Sequence, residues 1–155
     1  MQTVYFLFGE MGCGKTHQGV RFADAIMGHF YDGDEALPLP LRKKMLRGQP
    51  LTRKEVETFV REHLSAAVLK QAAAHSRTPI VVAQALYCDA DRVWLRRYLN
   101  QYGLDVIFSH VRVGWWQNMK QLWSRKNGSG WILSWLISKP FFEEPSHFCV
   151  TLKKF

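Results

Sequence analysis

FLFGEMGCGKTHQG, residues 6–19, is the stretch that decides how this chain is read. A β-branched and aromatic run, Thr3 to Phe8, leads into it, and Val20, Phe22, Ala23 and Ile26 follow at helical spacing from Lys15 to Met27. Between strand and helix, Gly9, four further residues, then Gly14, Lys15 and Thr16 satisfy the pattern G-x-x-x-x-G-K-[ST]. Glycines at these places let backbone N–H groups turn inward around phosphate oxygens, and a helix N-terminus adds favourable partial charge. Gly9, Glu10, Met11, Gly12, Cys13, Gly14, Lys15 and Thr16 are therefore the candidate nucleotide-binding residues. Lys15 is expected to reach the β and γ phosphates, and the Thr16 hydroxyl to bind Mg²⁺. The competing reading is a chance glycine-rich turn; the strand before and the helix after argue against it. Cys13 is either a thiol activated by the helix terminus or simply a small residue that fits.

Outward from this loop, strand and helix signals alternate as in a parallel sheet covered by helices. Phe30 and Tyr31 offer a short second strand, and a helix from about Leu41 to Leu46 closes at Gly48. Thr52 and Glu55 form a capping box that opens a long helix through Phe59, Val60, Leu64 and Val68. Ile80 to Ala83 reads as a buried strand. Asp89 is expected to cap the next helix, which Gly103 ends. Asp105 to Val113 is the fourth strand, Gly114 to Lys126 a helix, Asn127 to Gly130 a break, and His147 to Leu152 the last strand. Five strands separated by helical material predict a three-layer α/β fold, one domain over residues 1–155.

Composition narrows the partners. Three cysteines, Cys13, Cys88 and Cys149, are too few and scattered for a disulfide framework, so a reducing cytoplasm is the expected setting. The amino terminus lacks the basic flank of a signal peptide, and WILSWLI at residues 131–137 is far too short to span a bilayer. The formal charge of +8 suits polyanions, but the basic residues are spread out, densest at Arg42, Lys43, Lys44 and Arg47. A solvated face or a small anionic ligand is expected ahead of nucleic acid. The six histidines show no metal-ligand spacing.

Asp32-Gly33-Asp34 closes the short second strand. Two carboxylates at spacing two on an extended chain point to one side, and ligands of open α/β sheets sit at the carboxyl ends of strands. One carboxylate near the phosphates organises Mg²⁺, and the other accepts a proton from an attacking hydroxyl. The bland alternative is an Asp-Gly turn.

Residues Val4 to Asp34 resemble the start of shikimate kinases and of the related gluconate kinases. DGDEALP at 32–38, Lys44-Met45 and GQPLT at 48–52 resemble the D-G-D-x-x-H-P, K-M and G-x-P-L pattern of gluconate kinases. IVVAQAL at 80–86 falls where those kinases have a strand leading into S-A-L-K, SRKNG at 124–128 falls at their lid, and Glu144-Pro145 matches an E-P pair before their final strand. The resemblance implies a parallel sheet of order 2-3-1-4-5, a lid at about residues 125–140, and transfer of the γ-phosphoryl group of ATP to a small hydroxylated metabolite. It implies that Lys15 contacts the transferred phosphate, that Thr16 and Asp32 serve Mg²⁺, that Asp34 and Lys44 lie toward the acceptor, and that Arg125 comes from the lid to neutralise charge.

The chain departs from that pattern on the acceptor side. Leu37 stands where gluconate kinases have histidine, Val56 where they have arginine, Gln84 and Tyr87 where S-A-L-K has serine and lysine, and Gln121 where a second lid arginine is usual. A site that loses such contacts leaves ligand groups unpaired, so gluconate itself is not the expected acceptor. Those kinases also continue past the fifth strand into an adenine-contacting loop; here the sequence stops at Phe155, so the base pocket is expected to be open or completed by another subunit. Trp115, Trp116, Trp123, Trp131 and Trp135 crowd the lid half, and read first as core, then as a surface for a homodimer or protein partner. Three functions stand open: a small-molecule kinase, a degenerate nucleotide-binding module acting through a partner, and a nucleoside or nucleotide kinase.

Overall fold

The computed structural model describes residues 1–112, 117, 120, 122–124, 143 and 149–152. In chain order it comprises β1 (Gln2–Phe8), α1 (Lys15–Ala25), β2 (His29–Asp32), a 3-10 turn (Gly33–Ala36), α2 (Leu39–Leu46) and α3 (Arg53–Thr58). A π-helical segment (Phe59–Leu64), α4 (Ser65–Ala74), β3 (Ile80–Ala83), α5 (Asp89–Asn100), β4 (Leu104–Val111) and β5 (Cys149–Leu152) follow. The five strands form one parallel sheet in the order β2-β3-β1-β4-β5, the order the resemblance implied.

Strand alternation decides what each face buries. Val4, Phe6 and Phe8 of β1, Ile80 and Val82 of β3, and Val106 and Phe108 of β4 face one way, into a cluster with Phe59, Val60, Leu64, Val68, Leu95 and Leu99. Leu7, Val81 and Val111 face the other way with Ala23, Phe22 and Ile26 from α1 and its end. Burying each large apolar side chain contributes about 1.5–3 kcal/mol, so both faces need their helical cover. Among the described residues no helix is long and apolar enough to cross a membrane.

The capping box stands: Thr52 Oγ1 accepts from Glu55 N at 3.2 Å and the Glu55 carboxylate accepts from Thr52 N at 2.7 Å. The long helix it opens is not uniform, since Phe59–Leu64 widens into π geometry while burying Phe59, Val60 and Leu64. Asp89 is the first residue of α5 rather than its cap; Cys88 holds the cap position, and the Glu143 carboxylate accepts from Asp89 N at 2.6 Å. The first helix stops at Ala25, two residues short of expectation, where Met27 takes a left-handed φ of 50°. The fourth strand is shifted to Leu104–Val111. Gln117, Lys120, Leu122 and Trp123 are helical; Leu122 is buried, whereas Trp123 is 71 % exposed and so not core. Arg125, the lid at 125–140, Trp115, Trp116, Trp131, Trp135, Gln121 and Glu144-Pro145 lie outside the described residues.

Candidate functional site

Register brings the site together. Leu7 of β1 and Asp32 of β2 both pair with Ala83 of β3, so the segments leaving these three strands start side by side at the carboxyl edge of the sheet.

The loop after β1 is shaped for an anion. Gly12 and Gly14 take left-handed φ values of 80° and 87°, a region side chains disfavour, and Gly14 is the N-cap of α1. A Cβ on Gly9 would collide with the Val111 carbonyl and stand 2.9 Å from Cys13 Sγ. Among the described residues no side chain caps α1, and no acidic residue lies in its first turn, a terminus that can receive an anion. Cys13 is buried in the second core cluster, which supports the small-residue reading. Lys15 folds back over the loop, its Nζ donating to Glu10 O at 2.8 Å and Gly9 O at 3.1 Å, with Cys13 Sγ at 3.8 Å. Thr16 is exposed at the start of the helix.

Asp32 and Asp34 are not on one extended strand as expected. The chain turns after Asp32, whose Oδ1 accepts from Asp34 N at 3.0 Å, and Asp34 sits in the 3-10 turn. The Asp-Gly turn thus forms, and it forms at the carboxyl edge. Solvent reaches Asp34, yet protein crowds its carboxyl from several sides. That desolvation, and then the charge of Asp32, raise its pKa above the ordinary carboxylate value; Lys15, a hydrogen bond from the Gln84 amide, and Arg42 pull it back. The same groups place Lys15 and Asp34 within electrostatic reach of each other. Gln84 Oε1 occupies the space beside Gly33, 2.6 Å from where a Cβ would be, so a side chain there would displace it.

Beside the 3-10 turn, Arg42 of α2 donates to Asp34 O at 2.6 Å. Lys44 is held by Glu55, with its Nζ 2.8 and 3.0 Å from the two carboxylate oxygens. That ion pair and the Thr52 amide hold the Glu55 carboxyl down at about 2. Leu37 is buried in the main core and Val56 packs against it, so both residues that replace polar groups of the pattern serve packing.

Two elements of the site had no motif. Arg92 is wholly buried, its guanidinium 4.6 Å over the Phe8 ring and donating to Leu86 O at 2.6 Å, Asp89 Oδ1 at 2.9 Å and Glu143 O at 2.9 Å. It fixes the loop after β3 against the end of β1. Arg53 and the buried Asp91 form a two-pronged pair at 2.8 and 3.0 Å that ties α3 to α5. The Asp89–Arg92 spacing of three on α5 was the one sequence trace of either.

Among the described residues no three His, Cys, Asp or Glu side chains gather into a metal site. Mg²⁺ does not need such a cage, because it is commonly held by one or two carboxylates together with phosphates and water. The exposed Thr16 hydroxyl and the Asp32 carboxylate, on segments that leave β1 and β2 at the same edge of the sheet, fit that demand.

No protein-family model matches the sequence, and no curated protein matches it. Solved structures do. A gluconokinase from Sinorhizobium meliloti 1021 is similar over 97 % of this chain and 81 % of its own, at 22 % identity and a TM-score of 0.73. A sugar kinase from Janibacter sp. HTCC2649 is similar over 98 % and 83 %, at 19 % identity and 0.70. A shikimate kinase from Acinetobacter baumannii, solved with shikimate, covers 100 % and 84 %, at 19 % identity and 0.51. Together with the sheet order and the loop, these define the fold as that of the gluconate- and shikimate-kinase-like phosphate-loop kinases.

Proposed function

We propose that this chain is a small-molecule kinase, transferring the γ-phosphoryl group of ATP to a hydroxyl of a small metabolite other than gluconate. The observation that carries the reading is the glycine-shaped turn at the α1 N-terminus, with Lys15 folded over it and its charge felt by the Asp34 carboxyl. One group there stabilises phosphate charge; the other is a carboxylate with its pKa shifted toward the range of a useful base. In the reaction the acceptor oxygen bonds to the γ-phosphorus as the bond from that phosphorus to the β,γ-bridging oxygen breaks. The hydroxyl proton passes to the Asp34 carboxylate, and ADP leaves.

Lys15, Thr16 and the loop amides from Gly9 to Gly14 hold the phosphates. Thr16 and Asp32 are the residues to hold Mg²⁺, which when bound neutralises phosphate charge. Arg125 is assigned to the lid's part in transfer, on the resemblance alone. Arg42 and Lys44 put positive charge on the acceptor side, Lys44 sharing its own with Glu55. Free Cys13 and Cys88 suit a reducing compartment such as the cytoplasm. The exposed Trp123 supports a second copy or a partner protein on the tryptophan-rich half.

A second reading, a nucleotide-binding module without transfer, is favoured by one observation: Leu37 and Val56 belong to the core and Lys44 is already paired, which leaves the acceptor side short of free polar groups. Thermal shift with ATP, ADP and GTP, with and without Mg²⁺, tests the phosphate site, and Lys15→Ala is expected to lose the shift. Coupled ADP release over sugar acids, polyols, amino alcohols and nucleosides then separates the two readings. Release that no acceptor raises rejects the kinase in favour of the module.

A further inference from the structure

The loop's anion seat is already taken at one end by a residue from far along the chain. Met11 N donates to the Tyr87 hydroxyl oxygen at 3.2 Å, across 76 positions of sequence. Met11 follows Glu10, whose carbonyl accepts from Lys15 Nζ at 2.8 Å. The lysine of such a loop reaches the β and γ phosphates, while the helix N-terminus takes the phosphates nearer the nucleoside. Met11 N–H therefore belongs to the terminal-phosphate end of the cradle, and a neutral phenol oxygen stands there where an anionic oxygen belongs.

The phenol is aimed by its own main chain. Tyr87 O accepts from Glu143 N at 2.8 Å and from Arg92 at 3.4 Å, and Arg92 is itself immobilised by burial and by its bonds to Leu86, Asp89 and Glu143. Two clamps on the backbone leave the ring a defined approach to the loop. The hydroxyl satisfies an N–H for which the turn of the loop itself supplies no acceptor among the described residues.

We propose that Tyr87 is a specificity-determining residue for the terminal phosphate, its hydroxyl holding the Met11 N–H until a triphosphate displaces it. Resting on the kinase-fold phosphate site argued above, the proposal concerns what that site distinguishes. A diphosphate, whose last phosphorus sits short of Met11, leaves the phenol in place. A triphosphate takes the N–H for a charged oxygen, a stronger partner, and gives up part of that gain in breaking the phenol contact. The net effect is to narrow the preference for triphosphate over diphosphate.

Calorimetric titration of the full chain, in Mg²⁺, with ADP and with a non-hydrolysable β,γ-imido triphosphate tests this in the wild type, Tyr87→Phe and Lys15→Ala. Tyr87→Phe is expected to tighten the triphosphate analogue by about three- to tenfold and to change ADP affinity by less than about twofold, the range of one ordinary hydrogen bond. An unchanged ratio of the two affinities, or a weaker triphosphate, overturns the proposal while leaving the phosphate site intact. The site itself fails separately if the wild type binds neither nucleotide, or if Lys15→Ala binds both as the wild type does; both ideas then fall. If Tyr87→Phe does not fold, the Met11 amide resonance of ¹⁵N-labelled wild type decides: it is expected to move with the triphosphate analogue and not with ADP, and equal movement with both overturns the proposal.

Discussion

Arg92 lies with its guanidinium 4.6 Å over the ring of Phe8 and no part of its side chain exposed. Phe8 ends the strand that carries the phosphate loop, so a charge on α5 is packed directly beneath the site. Removing one member of a buried charged network strands the others, here Asp89 and the carbonyls of Leu86 and Glu143.

Arg92→Ala is accordingly expected to lower unfolding stability by about 3–5 kcal/mol, more than any exposed arginine replaced in the same way. Urea titration reads it, and a loss below about 1 kcal/mol contradicts the structural role given to the residue.

Asp34→Asn separates function from folding. Turnover is expected to fall by about a hundredfold or more, the scale of a lost general base, while nucleotide affinity holds within about threefold. Stability should move the other way. Because the folded Asp34 carboxyl is raised above its unfolded value, the native state binds the proton more tightly, and stability declines as pH climbs from the unfolded value through the folded one. The variant, free of that ionisation, is predicted to be at least as stable as the wild type at pH 7 and to lose any advantage below the ordinary aspartate pKa. Chemical unfolding across pH checks the sign, and a variant less stable at neutral than at acid pH relative to wild type is the contrary result.

Glu55 has the opposite linkage. Its pKa of about 2, against 4.5 unperturbed, means that its contribution is fully present above the unfolded value and disappears as acid takes the pH from 4.5 toward 2. Replacing it by Gln should flatten the stability profile in that window, and a Lys44→Met background should remove most of the difference, since Lys44 is the leading cause of the shift. A Glu55→Gln curve parallel to the wild type from pH 4.5 to 2 goes against the pairing. Being only half-buried, the pair is also expected to weaken with added salt.

What was legible in the sequence was local. The strand–glycine–helix succession at Thr3 to Ile26, the Thr52–Glu55 box and the run Ile80–Ala83 are each set within a few residues, by spacing and backbone preference, and each stands in the structure. Asp32 to Asp34 was legible twice over and misread once: the strand-end position holds, but the Asp32 carboxylate turns the chain by accepting from the Asp34 amide, so alternation along an extended strand has no bearing there. What escaped was long-range. Nothing near Met11 announces Tyr87, nothing near Asp89 announces Glu143, and Arg92 reads as a polar helix position until the fold lays Phe8 against it. Pairings of this kind depend on which strand lies beside which, and that is a property of the whole sheet.

The sheet order sets the two halves of the chemistry on unequal ground. β1 lies between β3 and β4 and is bonded on both sides, whereas among the described residues β2 has a neighbour on one side only. Fraying at a rim reaches the acidic pair first and the phosphate-gripping turn last. If the proposed kinase reading holds, a protein loosened by warmth or mild urea is expected to keep nucleotide affinity after it has lost turnover.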